Sequence, residues 1–422
     1  MNILMITNTY LPFIGGVERS VKIFTEEYRR MGHKVIIVAP SFENMPTDET
    51  DVIRVPALQN FNGTDFSVQL PIPGILHNAL KDFHPDIVHS HHPFLMGDSA
   101  LRVAAQFKVP IVFTFHTFYE RYTHYVPGDS PALKRFVIAL ATGYANLCDH
   151  VFAPSNSVAD VLIKRGVNTP VDVVPTGIEL EEFAKGDGLR FRKAMGIPLK
   201  AFVIGFVSRI APEKNVRYLG EVVCRFLRSN ENTCFLMIGK GPSEDYIKDI
   251  FHKYNLFHRF FHPGTLVSQP LIDAYHAMDV FVFASRTETQ GLVVTEALAS
   301  GVPVVAVDGP GIGEIVMDYT NGRLLKNYDP DAFCDALLWV YRLSNQKKRQ
   351  LKKDARLSVL SYSKDICAAK ALDIYMSLLT RNLMVRDHLD SAWEKTKRLI
   401  KAEFELLRNM KRATDAAIND NE

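Results

Sequence analysis

The sequence contains few cysteines, and none lies at a spacing typical of a metal site or a redox pair. The five cysteines are scattered along 422 residues, without a Cys-x-x-Cys pair or a Cys/His cluster. This distribution argues against a disulfide framework and against a structural zinc site. A reducing, cytoplasmic compartment is therefore the simplest expectation.

The sequence also lacks a long apolar run and a strong charge of either sign. The longest mostly apolar stretch, Phe136 to Cys148, is shorter than the roughly 18 residues that a membrane span requires. The chain starts with an apolar segment that has no basic flank or cleavage site, which indicates a buried strand and not a signal peptide. The formal net charge of +2 gives no reason to expect nucleic acid as a partner. We expect a protein that is soluble or lies on a membrane surface.

Short apolar runs alternate with helix-length segments along most of the chain, which is typical of parallel βαβ units. After a polar stretch near residues 179–196 the pattern starts again. The sequence thus predicts an α/β protein with two doubly wound domains facing a central cleft. The predicted strands occupy residues 2–7, 33–40, 85–92, 110–117, 150–157, 171–178, 201–209, 233–241, 259–265, 279–285, 301–307 and 322–326.

Two loops carry groups suited to a phosphate. Gly15 and Gly16 precede a predicted helix, whose first amides and dipole favour an anion, although such a pair is often only a tight turn. Arg209 and Lys214 lie on one loop after a predicted strand and could converge on a diphosphate. Two solvated surface cations are the alternative.

A third segment, SRTETQGLVVTEALASGVPVV, places two carboxylates around a predicted helix start. Glu288 follows a strand and Glu296 lies within the helix, so the two could address two ends of one ligand. Backbone amides of Gln290, Gly291 and Leu292 fall at the helix start, where they could hold a phosphate oxygen or a sugar hydroxyl. Small and apolar neighbours predict partial burial, so each carboxylate needs a partner.

Several histidines fall on segments expected at the cleft, namely His89, His91, His92, His116 and His124. A metal site is one interpretation of such a cluster, but carboxylate or Cys ligands at a recognisable spacing are missing. We therefore expect no metal. The ordinary alternative for each ring is a hydrogen-bonded structural residue.

The motifs GGVERS, SRIAPEKN and E-x7-E, in this order over about residues 1–380, resemble the retaining glycosyltransferases of family four. The segments HSHHPFLMGDSA and FTFHTFYERYTHYVPG, with ETQG at the second Glu motif, are most similar to the bacterial α-monoglucosyldiacylglycerol synthases. The resemblance implies a GT-B fold with an acceptor-side domain over 1–190 and a nucleotide-sugar domain over 191–365. A helix at about 366–380 would return to the first domain, and 381–422 would form a charged amphipathic extension.

The resemblance also implies roles for single residues. Gly15 and Gly16 would approach the donor phosphate, and Arg209 with Lys214 would neutralise the leaving diphosphate. Glu288 would contact the donor sugar beside its anomeric carbon, and Gln290, Gly291 and Leu292 would bind through backbone groups. Glu296 would hold the ribose, and His116 would lie at the reacting centre. On the acceptor side we expect His91, His92, Tyr119, Tyr122 and His124.

The C-terminal extension carries an apolar stripe and a basic flank. Residues 381–412 contain nine Lys and Arg against five Asp and Glu. On a helical wheel, one stripe holds Leu389, Trp393, Ile400, Phe404 and Leu407, and the predicted flank holds Lys397, Arg398, Lys401, Arg408 and Arg412. Such a helix suits an anionic membrane surface, or packing on the protein body or on a second subunit as a homo-oligomer.

We therefore expect a hexosyltransferase that uses UDP-glucose or another nucleotide-hexose, requires no cofactor, and acts on a lipid acceptor, diacylglycerol. It would be peripheral on the cytoplasmic face of the cell membrane. The alternatives are the same chemistry on a soluble acceptor or a phosphatidylinositol-type lipid, and a non-catalytic carbohydrate-binding homologue. The complete set of leaving-group residues disfavours the last alternative.

Overall fold

In the computed structural model of the chain, the described residues are 1–13, 15–58, 68–69, 76, 80–123, 128–383 and 392–418. Only the backbone is described for residues 58, 68, 69, 382, 383, 392 and 393. The chain divides into two compact units. Unit 1 comprises Met1–Gly177 with Lys364–Glu422, and unit 2 comprises Ile178–Ser363.

Unit 1 is built on a parallel sheet. Its strands run in the order β3-β2-β1-β6-β7-β8-β9, while β4 and β5 form a separate antiparallel pair. The elements in chain order are β1 (Asn2–Ile6), α1 (Gly16–Arg30), β2 (Lys34–Pro40), β3 (Val52–Val55), β4 (Ala57–Leu58), β5 (Val68–Gln69), β6 (Ile87–Ser90), α2 (Met96–Phe107), β7 (Ile111–Thr114), α3 (Pro131–Ala145), β8 (His150–Ala153), α4 (Asn156–Lys164) and β9 (Val171–Val173).

Unit 2 contains a second parallel sheet, with strands in the order β12-β11-β10-β13-β14-β15. Two further helices, α13 and α14, return to unit 1. The elements are α5 (Leu180–Phe183), α6 (Gly188–Met195), β10 (Phe202–Val207), α7 (Val216–Ser229), β11 (Thr233–Ile238), α8 (Glu244–Lys253), β12 (Phe260–Gly264), α9 (Ser268–His276), β13 (Val280–Phe283), α10 (Leu292–Ala299), β14 (Val304–Val307), β15 (Gly322–Leu325), α11 (Pro330–Arg342), α12 (Asn345–Ser358), α13 (Lys364–Leu383) and α14 (Ala392–Ile418).

Each sheet reverses its strand order at one point. In unit 1 the chain adds β2 and β3 on one side of β1 and then places β6 on the other side. In unit 2, β10 occupies the same position between β11 and β13. Loops that follow the two strands at such a switch point diverge and leave a crevice for ligands. The loops after β1, β6, β10 and β13 are therefore where functional groups are expected.

The alternation of side chains along β1 divides the core of unit 1 between the two faces of its sheet. Ile3 and Met5 lie in the cluster that includes residues of α1 and α13, and Leu4 and Ile6 lie in the cluster that includes residues of α2, α3 and α4. Tyr375 of α13 is fully buried in the first cluster. The helix predicted at about 366–380 is thus part of the core of unit 1.

The predicted α/β fold is confirmed, since each of the predicted strand segments contains a strand of one of the two parallel sheets. Strands β3, β4 and β5 were not predicted. The edge strand β3 has only four residues, and one of them is Arg54, which pairs with Glu49 at 2.6 Å. Among the described residues, no helix combines the length and the apolar character needed to cross a bilayer.

Unit 1 ends at Gly177, so the predicted boundary between residues 190 and 191 lies inside unit 2. The physical reason is that α6 packs on α9. The amide of Asp187 donates to Oδ1 of Asp273 at 2.8 Å, and Arg190 pairs with the same carboxylate. A Cβ added at Gly188 would lie 2.1 Å from the carbonyl oxygen of His276.

Candidate active site

The predicted cations of unit 2 follow β10. Arg209 is exposed on the loop after the strand, and Lys214 ends a short 3-10 helix, Pro212–Lys214. This helix is joined to the loop after β13, because the amide of Arg286 donates to the carbonyl oxygen of Glu213 at 3.2 Å. The two loops at the switch point of unit 2 therefore hold each other in place.

The joined loops bring Lys214 and Glu288 together. Lys214 Nζ lies 2.5 Å from Glu288 Oε1, and the two side chains are 16% and 15% exposed. The two side chains are mostly buried but still accessible to a ligand. Each of them can therefore exchange its partner in the ion pair for a ligand group that carries the same charge as that partner. The pair places a cation and a carboxylate side by side at the switch point of unit 2.

Glu288 is followed by a tight turn into α10. Gly291 is the N-cap of α10 with φ of 79°, in the left-handed region that favours glycine. A Cβ at Gly291 would lie 2.5 Å from Ile312 Cδ1, and a Cβ at Gly311 would lie 2.8 Å from Cα of Gln290. The chain therefore packs closely around residues 290–292, where the first amides of α10 have no acceptor within their own helix.

Glu296 lies deeper than its predicted role suggests. It is fully buried, and its Oε2 accepts a hydrogen bond from the hydroxyl of Tyr275 at 2.8 Å. The hydroxyl satisfies a carboxylate that has no contact with water in this structure. Tyr275 was not predicted as a site residue, because nothing in the local sequence links it to Glu296.

A second glycine loop of unit 2 also escaped prediction. Gly239 and Gly241 follow β11, and a Cβ at either would collide with a backbone oxygen of the loop after β10, at 1.9 Å from Ser208 and 2.4 Å from Ile210. The amide of Ile210 in turn donates to the carbonyl oxygen of Lys240 at 3.0 Å. The motif GKG therefore allows the loop after β11 to pack directly against the backbone next to Arg209. The spacing of its two glycines is the sequence feature from which this contact could have been predicted.

In unit 1, Gly15 is the N-cap of α1, and Gly16 is the first residue of that helix. The carboxylate of Glu18 turns back over this end of the helix, so that a Cβ at Gly15 would lie 2.5 Å from Glu18 Oε2. Burial raises the pKa of Glu18 above its ordinary value. The predicted anion site at this helix end thus already has an acidic group of the chain beside it.

His89 within β6, His91 after β6 and His116 after β7 form a largely buried stack of rings in unit 1. His91 Nδ1 lies 2.9 Å from His116 Nε2, and the ring centroids of His89 and His91 are 4.2 Å apart. Burial lowers the pKa of His89 and of His116 to about 3, and it lowers that of His91 well below the ordinary value. These rings are therefore neutral at physiological pH and act by hydrogen bonding, not by charge.

His89 and His91 have structural contacts. His89 Nδ1 lies 2.5 Å from the hydroxyl of Tyr375 on α13, and its Nε2 lies 2.6 Å from Thr114 Oγ1. His91 has no exposed surface, and its Nε2 is buried without a hydrogen-bond partner among the described residues. The structure therefore places His91 under His116 and gives it no exposed surface for an acceptor.

The remaining acceptor-side predictions fall in different surroundings. His92 Nδ1 accepts from the amide of Asn8 at 3.1 Å, which joins the loops after β1 and β6. Tyr119 packs with its ring centroid 5.0 Å from that of Phe94, and its hydroxyl is buried without a hydrogen-bond partner in the described part of the chain. The half-buried Tyr122 follows the 3-10 helix Tyr119–Arg121. His124 lies outside the described residues.

Within the described ranges, no group of three or more His, Cys, Asp or Glu residues is arranged to hold a metal ion. The triplet Asp329-Pro330-Asp331 has a structural use, because Asp329 Oδ1 accepts from the amide of Asp331 at 2.9 Å and caps α11. Asp331 pairs with Arg225.

Two family descriptions match the chain, one over most of each half. Glycosyltransferase Family 4 matches residues 14–182, and Glycosyl transferases group 1 matches residues 189–358. The α-monoglucosyldiacylglycerol synthase of Acholeplasma laidlawii is 29% identical, over 90% of this chain and 98% of that protein. The GDP-mannose-dependent α-mannosyltransferase of Mycobacterium tuberculosis (strain CDC 1551 / Oshkosh) is 28% identical, with the same coverage of 90% and 98%.

A solved structure agrees on the fold. The crystal structure of Anabaena Alr3699/HepE in complex with UDP matches with a TM-score of 0.70 at 18% identity, over 89% of this chain and 100% of that chain. At this identity the similarity concerns the fold alone. Together with the two family matches, it identifies the chain as a family 4 glycosyltransferase of the GT-B fold and a nucleotide-sugar-dependent hexosyltransferase.

Proposed function

We propose that this enzyme transfers glucose from UDP-glucose to diacylglycerol, with retention of the anomeric configuration. The observation that carries the proposal is the Lys214–Glu288 pair at the switch point of unit 2, beside the first amides of α10. The acceptor and the sugar are supported by the name of the Acholeplasma laidlawii relative, which covers most of the chain.

The donor binds on unit 2, at the loops after β10 and β13. Arg209 and Lys214 stabilise the negative charge that develops on the leaving diphosphate, together with the amides at Gly291 and Leu292. Because preorganised cations and amides can stabilise this negative charge, the proposed reaction requires no metal ion. Glu288, released from Lys214 as the phosphate enters, then contacts the sugar beside its anomeric carbon.

The other end of the donor is assigned to Glu296, which would hold the ribose. Because this carboxylate is buried under the hydroxyl of Tyr275, that role requires the hydroxyl to give way to a ribose hydroxyl. On unit 1, Gly15 and Gly16 would approach the donor phosphate. At the same helix end, burial raises the pKa of Glu18 above its ordinary value.

The transfer step is proposed as a same-face attack within an ion pair. The bond from the anomeric carbon to the phosphate oxygen breaks, and the acceptor oxygen bonds to the same carbon from the same side. The acceptor proton passes to the departing phosphate oxygen, which serves as the base. His116 is assigned to the reacting centre, where a neutral ring positioned by His91 can form hydrogen bonds without competing for the diphosphate.

A lipid acceptor places the reaction at a membrane surface. We propose that the enzyme is peripheral on the cytoplasmic face of the membrane. The acceptor would enter next to His92, Tyr119, Tyr122 and His124 on unit 1.

The experiment that tests the proposal is a crossed screen of donors and acceptors. The purified full chain is incubated with UDP-glucose, UDP-galactose or GDP-mannose, each with dioleoylglycerol in mixed micelles, phosphatidylinositol or a soluble inositol phosphate. Mass spectrometry identifies the product, and the proton coupling at the anomeric carbon reports its configuration. We expect α-glucosyl-diacylglycerol from UDP-glucose. Transfer from GDP-mannose alone, transfer to the soluble acceptor alone, or a β-linked product would contradict the proposal.

A further inference from the structure

The C-terminal helix α14 is attached to unit 1 by one of its faces. It lies along α2 and α3, where Arg398 Nε donates to the carbonyl oxygen of Ala105 at 3.0 Å. Asn409 Nδ2 donates to the carbonyl oxygen of Leu140 at 3.1 Å. This corrects the prediction for Arg398, which points to the protein body and not to the basic flank.

The attached face of α14 fits closely against α3, and Leu406 also packs on the core of unit 1. A Cβ at Gly143 of α3 would lie 1.7 Å from Asn409 Oδ1, so α3 has room for this side chain only because residue 143 is glycine. Ala413 is fully buried on the same face, and Arg135 of α3 donates to the carbonyl oxygens of Ala416 and Ala417 at 3.1 and 3.0 Å. The helix is therefore a fixed part of unit 1.

The opposite face carries large apolar side chains that are exposed. Ile400, Phe404, Leu407 and Ile418 are 62%, 63%, 68% and 72% exposed. At 100° per residue these positions fall within about 60° of one another, with Lys411 between them. We call Ile400, Phe404, Leu407, Lys411 and Ile418 the tail face. A line of exposed apolar side chains is unfavourable in water, and it indicates a surface that binds a partner when the protein functions.

The charge beside the tail face identifies what covers it. Lys397, Lys401, Arg408 and Arg412 follow along one side of the tail face, about 60° to 120° around the helix. Glu394 and Glu405 of the same helix pair with Lys397 at 3.1 Å and with Arg408 at 3.8 Å, while Glu403 on the other side pairs with Arg102 of α2. Residues 392–418 still hold seven Lys and Arg against four Asp and Glu, so the helix has an excess of positive charge. A second copy packed face to face and antiparallel by two-fold symmetry would bring the two basic sides near one another. An anionic bilayer complements both the apolar line and the basic side.

We propose that the tail face docks on an anionic membrane and thereby holds unit 1 at the lipid surface. The inference rests on the proposed function, since it supplies the surface on which a lipid acceptor is presented. Because α14 is pinned to α2 and α3 on its other side, docking fixes unit 1 itself at the surface. A tail acting only as a tether would leave unit 1 unoriented.

The test is binding of the full chain to large unilamellar vesicles of phosphatidylcholine and phosphatidylglycerol in equal parts, without donor or diacylglycerol. The test variant is Phe404→Ser with Leu407→Ser, since polar residues at exposed positions leave the fold intact, as a thermal melt would confirm. Leu357→Ser with Leu360→Ser is the matched control, because both leucines of unit 2 are 52% exposed. Point variants are preferable to truncation, which would uncover the surface of α3 around Leu140 and Gly143.

We expect the partition coefficient of the test variant to fall at least about tenfold, since two large apolar side chains lose their contact with the bilayer interior. The control should bind like the parent chain, and pure phosphatidylcholine vesicles should bind both weakly. Unchanged binding of the test variant, equal loss in the control, or absence of binding by the parent chain would overturn the proposal. So would a parent dimer, seen by sedimentation, that dissociates in the test variant.

A separate readout distinguishes this inference from the proposed function. Transfer of glucose to a short-chain diacylglycerol dissolved below its micelle concentration needs no membrane, and the test variant should retain it. If the parent chain binds vesicles normally but transfers no sugar, the proposed function is refuted and the docking of the tail face is not. If the parent chain transfers sugar and the test variant binds vesicles normally, only the docking of the tail face is refuted.

Discussion

Replacement of Lys214 by Met removes the cation of the central ion pair and keeps most of the side-chain volume. The contact of 2.5 Å to Glu288 joins two side chains that are about one-sixth exposed, so it is only partly screened by water. A hydrogen bond between charged groups of this kind contributes about 1.5 to 3 kcal/mol to stability. Loss of one preorganised charge-stabilising donor lowers kcat by roughly 100-fold to 1,000-fold. We therefore expect a fall of about 100-fold in the kcat of Lys214→Met, measured as UDP released per second with saturating donor.

A double variant separates catalysis from stability. In Lys214→Met with Glu288→Gln, neither partner is left as an unpaired charge, so the melting temperature should return toward that of the parent chain. Activity should stay low, because the two groups serve different parts of the donor. Recovery of turnover in the double variant would show that the pair is only structural, and near-parental turnover in Lys214→Met would refute the reasoning altogether. Arg323→Met is the control, since Arg323 is 17% exposed, similar to Lys214, and pairs with Asp318 at 2.7 Å in the same unit.

Three further perturbations follow from the geometry. Gly291→Ala should lower the melting temperature more than Gly196→Ala, because both residues have positive φ but a Cβ meets another atom within 4 Å only at Gly291; a calorimetric ranking in the opposite order would contradict this. Tyr275→Phe leaves Glu296 without that hydrogen bond and should destabilise unit 2 by about 1.5 to 3 kcal/mol, checked by urea unfolding, while an unchanged midpoint would exclude the contact. Burial lowers the pKa of His89 from 6.5 to about 3, so the stability that its neutral ring contributes is lost as the pH falls from about 6.5 toward 3. His89→Gln should flatten the decline of melting temperature over that range, and an equally steep decline would contradict the assignment.

Much of the fold could be predicted because parallel strands buried on both faces appear as continuous apolar runs. The segments NILMIT, TCFLMIGKG and DVFVFAS each contain one strand of the two sheets. The edge strand β3 could not be recognised in this way, since a polar residue interrupts its four positions. The boundary of unit 1 was placed too late because the contact between Asp187 and Asp273 joins residues far apart in the sequence.

For the candidate site, too, features of local sequence could be predicted, and contacts between distant residues could not. The positions of Arg209, Lys214 and Glu288 after strands at a switch point could be predicted, because strand ends are visible in the sequence, while their roles stay predictions. Burial of individual polar groups is not visible there. The positions of His91 beneath His116 and of Glu296 beneath Tyr275 depend on pairings across 25 and 21 residues that no local pattern encodes.

The C-terminal helix shows what periodicity can and cannot establish. The wheel locates a stripe that includes Ile400, Phe404 and Leu407, but an apolar stripe alone does not reveal whether it faces the protein or its surroundings. The contacts decide the question, because the side away from the stripe holds the buried Asn409 and Ala413 and the partly buried Leu406, which pack on unit 1. Ile400, Phe404 and Leu407 are 62%, 63% and 68% exposed. The stripe is therefore left for the membrane that we propose as its partner.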